Sequence, residues 1–298
     1  MSHGCPWQLL DAGPLLLDGG GMFGLVPRVV WEKLVKPDAR HRIPLRHNCI
    51  LLRHAQGPVV IETGSGDKLD EKSRDIFGLT DRTIIQAVEE TGTSLASVRH
   101  VVVTHLHFDH AGGLTRRGAH GPELTFPNAA VHVQEREWSD ALANRSVMTR
   151  TYFRDHLDPV RDRVVLHRSI PPFEPGQIPG REELPGSSLE DRLTPIVPGV
   201  WVFRVPGHTW GQQAVLFHDD RGRTVVFTPD VMPTVWHVGA AYNLAYDVEP
   251  YMSMVSRRWF LNEAASRNWL LVLDHDPATP LVRVQPDGKG WFVLQPEA

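Results

Sequence analysis

The sequence predicts an α/β domain, on three observations. Short apolar runs bounded by turn residues recur, among them Cys49–Leu52, Pro58–Ile61, Val101–Val103, Val200–Val205, Thr224–Phe227 and Trp269–Leu273. Runs of this length read as buried strands. Patterns suited to amphipathic helices alternate with them, at 81–90, at Gln134–Leu142 and at 249–267. Several of the strands deliver histidine or aspartate to the loop that follows, a placement that sets chemistry on a rigid frame.

Composition narrows the class. A chain of 298 residues accommodates one large domain or two small ones. We expect a single domain over 1–298, because no linker or internal repeat stands out. An apolar content of 41% with 22% charged residues is that of a soluble globular protein. The net charge of −4 lacks the basic signature of a nucleic-acid binder. Cys5 and Cys49 are too few for a disulfide framework, which suits a reducing compartment. The segment Met1–Trp7 has no charged head followed by an apolar core, so no secretory signal is expected. No apolar run approaches the roughly 20 residues of a membrane span. A cytoplasmic protein acting on a small molecule, without nucleic acid or membrane, is the expectation.

Taken in order, residues 8–18 read as a strand or strand pair inside an N-terminal extension, 1–44. Gly19-Gly20-Gly21-Met22-Phe23-Gly24 follows. Consecutive glycines mark a tight turn or a close approach. The segment is either a surface turn with Met22 and Phe23 tucked into the core, or a loop overhanging the site or a subunit interface, as in a homodimer. Val26–Pro37 reads as a short helix ended by proline. Cys49–Leu52 and Pro58–Ile61 form a strand pair around Gln56-Gly57, and residues 81–90 a helix. Ser97–Val103 leads into the histidine cluster. Ala129–Val133 is a strand whose His132 reads as structural, and Gln134–Leu142 a helix. Residues 143–195 carry Pro-Gly turn chemistry without a sustained period, as at Pro175-Gly176 and Pro185-Gly186. They read as an insertion of about that extent, a helical flap and then a long loop. Strands follow at Val200–Val205, Ala214–Phe217 and Thr224–Phe227, then the helix over 249–267 and the strand Trp269–Leu273. A hairpin around Asp287-Gly288 closes the chain.

The densest chemistry lies in Thr104-His105-Leu106-His107-Phe108-Asp109-His110, directly after Val101–Val103. Imidazole and carboxylate are ligands for zinc and similar divalent metals. In extended backbone His105 and His107 point the same way. Asp109 and His110 swing to a second point as the chain turns. Two neighbouring metal ions are the natural reading, because burying so many polar groups without partners is costly. Later strands deliver His208 in Pro206-Gly207-His208-Thr209, Asp230 in Thr228-Pro229-Asp230, and His275 in Asp274-His275-Asp276.

The spacing His105-x-His107-x-Asp109-His110 resembles the metal motif of the metallo-β-lactamase superfamily of hydrolases, and the likeness extends over roughly residues 45–280. It implies a four-layer αββα sandwich. It implies that His105, His107 and His208 hold one divalent metal ion and that Asp109, His110 and His275 hold the second, with Asp230 bridging. Zinc is the default, and manganese, iron, cobalt or nickel also suit such ligands. It implies that Glu62, after the strand Pro58–Ile61, buttresses the metal loop; a capped turn explains Glu62 equally well. Attack by a metal-bound hydroxide follows from such a centre, with Asp230 and Asp109 in catalytic roles and Asp109 also passing a proton to the leaving group.

His107 and the absence of a cysteine ligand set the chain apart from the redox di-iron and cysteine-ligated branches. Residues 104–114 look most like the N-acyl homoserine lactonase and methyl parathion hydrolase neighbourhood, which implies hydrolysis of a lactone or other carboxylic ester. Phosphotriesterase or glyoxalase II-like thioesterase activity is the alternative, ahead of a metal-dependent RNA-processing protein. The chain departs from the lactonases three residues after the bridging aspartate, where they place a tyrosine and this chain has Pro233. Tyr242, Tyr246 or His237 are candidates to replace it. Trp236, Met22 and Phe23 are candidates for an apolar acyl pocket.

Overall fold

The computed structural model describes residues 4–297. Met1–His3, where the segment read for a leader begins, lie outside the described residues. The first part of the chain forms β1 (Trp7–Asp18), α1 (Gly19–Phe23), α2 (Arg28–Trp31), β2 (Arg42–Leu52), β3 (Val59–Ile61), α3 (Glu71–Phe77), α4 (Ile84–Glu89) and β4 (His100–Val102). There follow α5 (Phe108–Ala111), a hairpin of β5 (Thr115–Gly118) and β6 (Gly121–Leu124), β7 (Ala130–Gln134), α6 (Glu135–Leu142), α7 (Arg154–Leu157) and β8 (Val164–His167). The second part forms β9 (Thr194–Val197), β10 (Val200–Arg204), β11 (Gln213–His218), β12 (Thr224–Thr228), α8 (Pro250–Ser266), β13 (Leu270–Leu273), β14 (Leu281–Pro286) and β15 (Phe292–Pro296).

Two sheets carry the fold, one in the order β1-β2-β3-β4-β7-β8 and the other β15-β14-β13-β12-β11-β10-β9. Alternation along the strands builds three apolar layers. Between the sheets, Ile50, Ile61 and Val102 pack against Val215, Phe227 and Val272. On the outer face of the first sheet, Val60, Val101 and Val131 meet Ile84, Ala87 and Val88, where α4 lies. Outside the second sheet, Phe203, Val226 and Leu271 meet Trp259, Phe260 and Ala264 of α8. The result is the four-layer αββα sandwich. Central strands are buried on both faces, which is why they read as unbroken apolar runs. Thr83 and Gln86 start α4 with a reciprocal capping box.

Strand direction explains where the site forms. β3, β4 and β7 run parallel, as do β12 and β13. β10 runs with β12, because both are antiparallel to β11. The loops that leave β3, β4, β10, β12 and β13 carry Glu62, His105 to His110, His208, Asp230 and His275, and they meet at one end of the sandwich.

Three expectations change. The glycine run is a short helix, α1, capped by Asp18 Oδ1, which accepts the Gly21 N–H at 2.9 Å. Its glycines serve close approach: a Cβ on Gly19 would strike the Trp31 ring, and one on Gly21 the Tyr246 hydroxyl. The described part of the segment 1–44 belongs to the sheet itself, since β1 pairs along its length with β2. Residues 143–195 are woven into both sheets, because β8 pairs with β7 and β9 with β10. Their short strands escape a periodicity reading because each is only four residues long. His132 sits between His100 and His167 at 3.0 Å from each, a local hydrogen-bonded partner set. No helix among the described residues is long and apolar enough to cross a membrane.

Candidate metal centre

After β4 the chain bends at Thr104, and His107, in extended backbone, leads into α5. Leu106 packs into the outer core, while His105 and His107 gather together away from it. Asp109 and His110 lie in the first turn of α5 and turn toward the neighbouring point. The ligand atoms of His105, His107 and His208 lie within 4.8 Å of one another, as do those of His110, Asp230, Asp274 and His275. Asp230 spans both groups. Its Oδ2 is 3.2 Å from His208 Nε2 and 3.7 Å from His110 Nε2, and its Oδ1 is 3.5 Å from His275 Nε2. Asp109 stands at the edge of the second group, 3.8 Å from His110 Nε2 and 3.7 Å from His275 Nε2.

These residues fit divalent cations. His105 Nε2, His107 Nε2 and Asp230 Oδ1 are buried and have no hydrogen-bond partner. Buried polar atoms ordinarily find one, so this density of unpartnered donors suits a bound cation. His107 Nδ1 and His208 Nε2 face each other at 2.9 Å, and His110 Nε2 and His275 Nε2 at 3.2 Å. Burial and the neighbouring imidazoles hold His105 and His107 well below the usual imidazole range, so both are neutral, the form that ligates metal. Burial opposes charge on His110 as well, yet Asp109, Glu62 and Asp230 outweigh it and raise its pKa. Burial and Asp230 push the Asp274 carboxyl well up. Buried carboxylates facing this cluster make a site that stabilises positive charge.

Supporting groups fix the ligands. Glu62 adopts φ +67°, in the left-handed region that a non-glycine residue enters at a cost. There its Oε1 accepts the Thr104 N–H at 2.5 Å and its Oε2 lies 3.4 Å from His110 Nδ1. Thr63 donates its hydroxyl to the His110 carbonyl at 2.6 Å. His208 Nδ1 donates to Asp247 Oδ1 at 3.0 Å, and His275 Nδ1 to the Arg46 carbonyl at 2.8 Å. Each such bond settles which ring nitrogen is free for metal. Pro233 has a backbone role, its carbonyl accepting the His275 N–H at 3.0 Å. His47 lies beside His275, with ring centroids 6.1 Å apart. Burial and His275 push its pKa down to about 3. Asp247 and Asp274 escape a sequence reading of the site. Asp247 belongs to no motif, and Asp274 is hidden by its position next to the more conspicuous His275.

A cavity of about 100 Å³ opens onto the clusters. His107, Asp109, His208, Asp230 and His275 form its floor, and Leu17, Met22, Phe77, Phe108, Met148, Arg150 and Tyr246 its walls. Of the candidate substrate contacts, Met22 and Tyr246 line it. The other four lie behind the wall, drawn there by packing. Phe23 is fully buried and stacks on Trp31 at 5.2 Å. Trp236 and Tyr242 pack around Phe23. His237 stacks on the other side of Phe23, with Nε2 2.8 Å from the Met22 carbonyl and Nδ1 2.8 Å from the Thr234 hydroxyl. Met148 and Arg150 come from the segment 143–195, whose lack of periodicity conceals them.

A family model of the metallo-β-lactamase superfamily matches residues 42–234. The chain is 29% identical over 182 residues to a "probable metallo-hydrolase" of Mycobacterium tuberculosis, covering 58% of this chain and 53% of that protein. It is 24% identical over 201 residues to an N-acyl homoserine lactonase of Bacillus thuringiensis, covering 62% of this chain and 64% of the lactonase. The chain thus spans between about half and two thirds of these relatives' length. Among solved structures, a "probable metal-dependent hydrolase" from Staphylococcus aureus superposes with a TM-score of 0.80 at 25% identity, covering 100% of this chain and 99% of that one. A dizinc quorum-quenching lactonase in complex with a product shares the fold, with a TM-score of 0.75 at 16% identity over 98% of this chain and 94% of its own.

Proposed function

The chain belongs to the metallo-β-lactamase superfamily, and from that premise we propose that it is a dinuclear metal-dependent hydrolase of lactones or other carboxylic esters. The observation that carries this reading is Asp230, whose two oxygens reach toward both histidine groups on the floor of one cavity. In this reading His105, His107 and His208 hold one ion. His110, His275 and Asp109 hold the other, with Asp274 beside them, and Asp230 lies between. Zinc is the favoured metal. Two such ions, when bound, supply a water of lowered pKa and polarise the substrate carbonyl.

The chain's own residues complete the chemistry. The apolar walls, Leu17, Met22, Phe77 and Phe108, hold the acyl group and exclude water. Asp109 Oδ1 or Oδ2 moves the proton to the leaving alkoxide. The Tyr246 hydroxyl, backed against Gly21, donates to the substrate carbonyl in place of the tyrosine that Pro233 displaces. Burial raises the Tyr246 pKa, so the phenol keeps its proton. The cavity is smaller than the roughly 300–1,000 Å³ of pockets for drug-sized ligands. Short acyl groups therefore suit it better than long ones.

Tyr246→Phe is expected to lower kcat/KM about tenfold, one hydrogen bond's contribution, with metal content unchanged. A rate equal to wild type would remove Tyr246 from the mechanism. The reading as a whole is tested by hydrolysis of short-chain N-acyl homoserine lactones and simple carboxylic esters. Two bound metals with no turnover of either would move the substrate to a phosphotriester or thioester. The exposed side chains of Leu25, Val29, Val30 and Leu34 beside α2 suit a homodimer of this chain. Sedimentation that stays monomeric across the micromolar range would exclude it.

A further inference from the structure

We propose that Glu137, on α6, is the positioning residue for the whole first cluster, a role that rests on the metal reading of His105, His107 and His208. Glu137 is fully buried, and no basic side chain pairs with it among the described residues. Its carboxylate is instead committed to three segments. Oε1 accepts the Leu106 N–H at 2.9 Å, from the peptide between His105 and His107. Oε2 accepts the Thr209 hydroxyl at 2.5 Å, from the residue after His208. Oε1 also takes the Tyr152 hydroxyl at 3.3 Å, and the Tyr152 ring lies 5.2 Å from that of His107. One side chain thus ties the loop after β4 to the loop after β10, the two loops that must stay in register for three imidazoles to converge.

The backbone is built for this approach. A Cβ on Gly211 would collide with the Glu137 backbone, so glycine there lets the His208 loop close onto α6. The second cluster has supports of its own in Glu62 Oε2 beside His110, in Thr63 and in the Arg46 carbonyl. Glu137 touches none of these, so its influence falls on one ion of the two. Tyr152 extends the connection to the segment that carries Met148 and Arg150, so the same carboxylate links the first cluster to the cavity rim.

The test is a titration of the metal-stripped full chain with zinc against a chromophoric chelator, which resolves the two affinities, with cobalt spectra to identify the site. Glu137→Met leaves the Leu106 N–H and the Thr209 hydroxyl without an acceptor. It should weaken one ion by roughly 10–100-fold, the usual cost of losing a group that orients metal ligands, and leave the other unchanged. Glu137→Gln should restore most of that loss, because its carbonyl still accepts from Leu106 and its amide donates to the Thr209 oxygen. Thr209→Val, which cuts one strut and spares α6, should weaken the same ion to a smaller extent. Two ions bound as in wild type by Glu137→Met, or both weakened equally, would overturn the assignment. A wild-type chain that binds no zinc would instead sink the metal reading itself, a separable failure.

Discussion

Asp230→Asn lowers hydrolysis by roughly 10²–10³-fold, the range seen when one preorganised electrostatic group is removed from a site that excludes water. The substitution preserves shape and removes one negative charge. That charge faces His208 of the first cluster and His110 and His275 of the second at 3.2–3.7 Å. Burial alone would raise the Asp230 carboxyl, but His208 and His110 hold it well below the usual range. On the proposed reading it is the group on which the spacing of two bound ions would depend. The variant should bind fewer than two metals per chain, measured by elemental analysis after gel filtration, and should keep its circular dichroism spectrum. Two metals retained at full rate would sink the bridging role.

His208→Ala is expected to remove bound metal and activity together. The first cluster has three imidazoles, and three protein ligands are the usual minimum for a catalytic zinc. Loss of one should leave about one metal per chain. It should also leave the buried Asp247 with only the weaker 3.3 Å bond from the Leu244 N–H to replace its partner. An under-satisfied buried carboxylate costs about 1–3 kcal/mol or more, so apoprotein stability should fall as well. Urea titration of the stripped chain reads that part separately. Full metal occupancy in this variant would contradict the ligand set.

The sandwich was legible where strands are buried on both faces. Val101–Val103 and Trp269–Leu273 announce themselves by unbroken apolar sequence, because neither face meets water. The metal-capable cluster was legible because chemistry compresses it: His105 to His110 place four such groups in six positions. The edge strands β8 and β9 were hidden. They are short and half exposed, so neither period nor composition marks them.

The cavity was legible only in part. Met22 and Tyr246 line it, but Phe23, Trp236, His237 and Tyr242 form the packed cluster behind it, and nothing in local sequence separates a wall from its backing. Glu137 and Asp247 were invisible for a related reason. A carboxylate on a polar helix or loop looks solvated until tertiary packing buries it against a distant segment, Glu137 against the Leu106 N–H and Asp247 against His208 Nδ1. The glycine run shows the same limit: Gly19 and Gly21 accommodate Trp31 and Tyr246, contacts that exist only in the folded chain.

The most direct test is proton release on adding a short-chain N-acyl homoserine lactone to three samples: metal-loaded protein, chelator-stripped protein, and stripped protein resupplied with zinc. The central claim predicts release from the first, none above background from the second, and recovery in the third with two zinc ions bound per chain. Release that survives complete stripping would contradict a metal-dependent hydrolase. No release from protein carrying two zinc ions would contradict the lactone assignment.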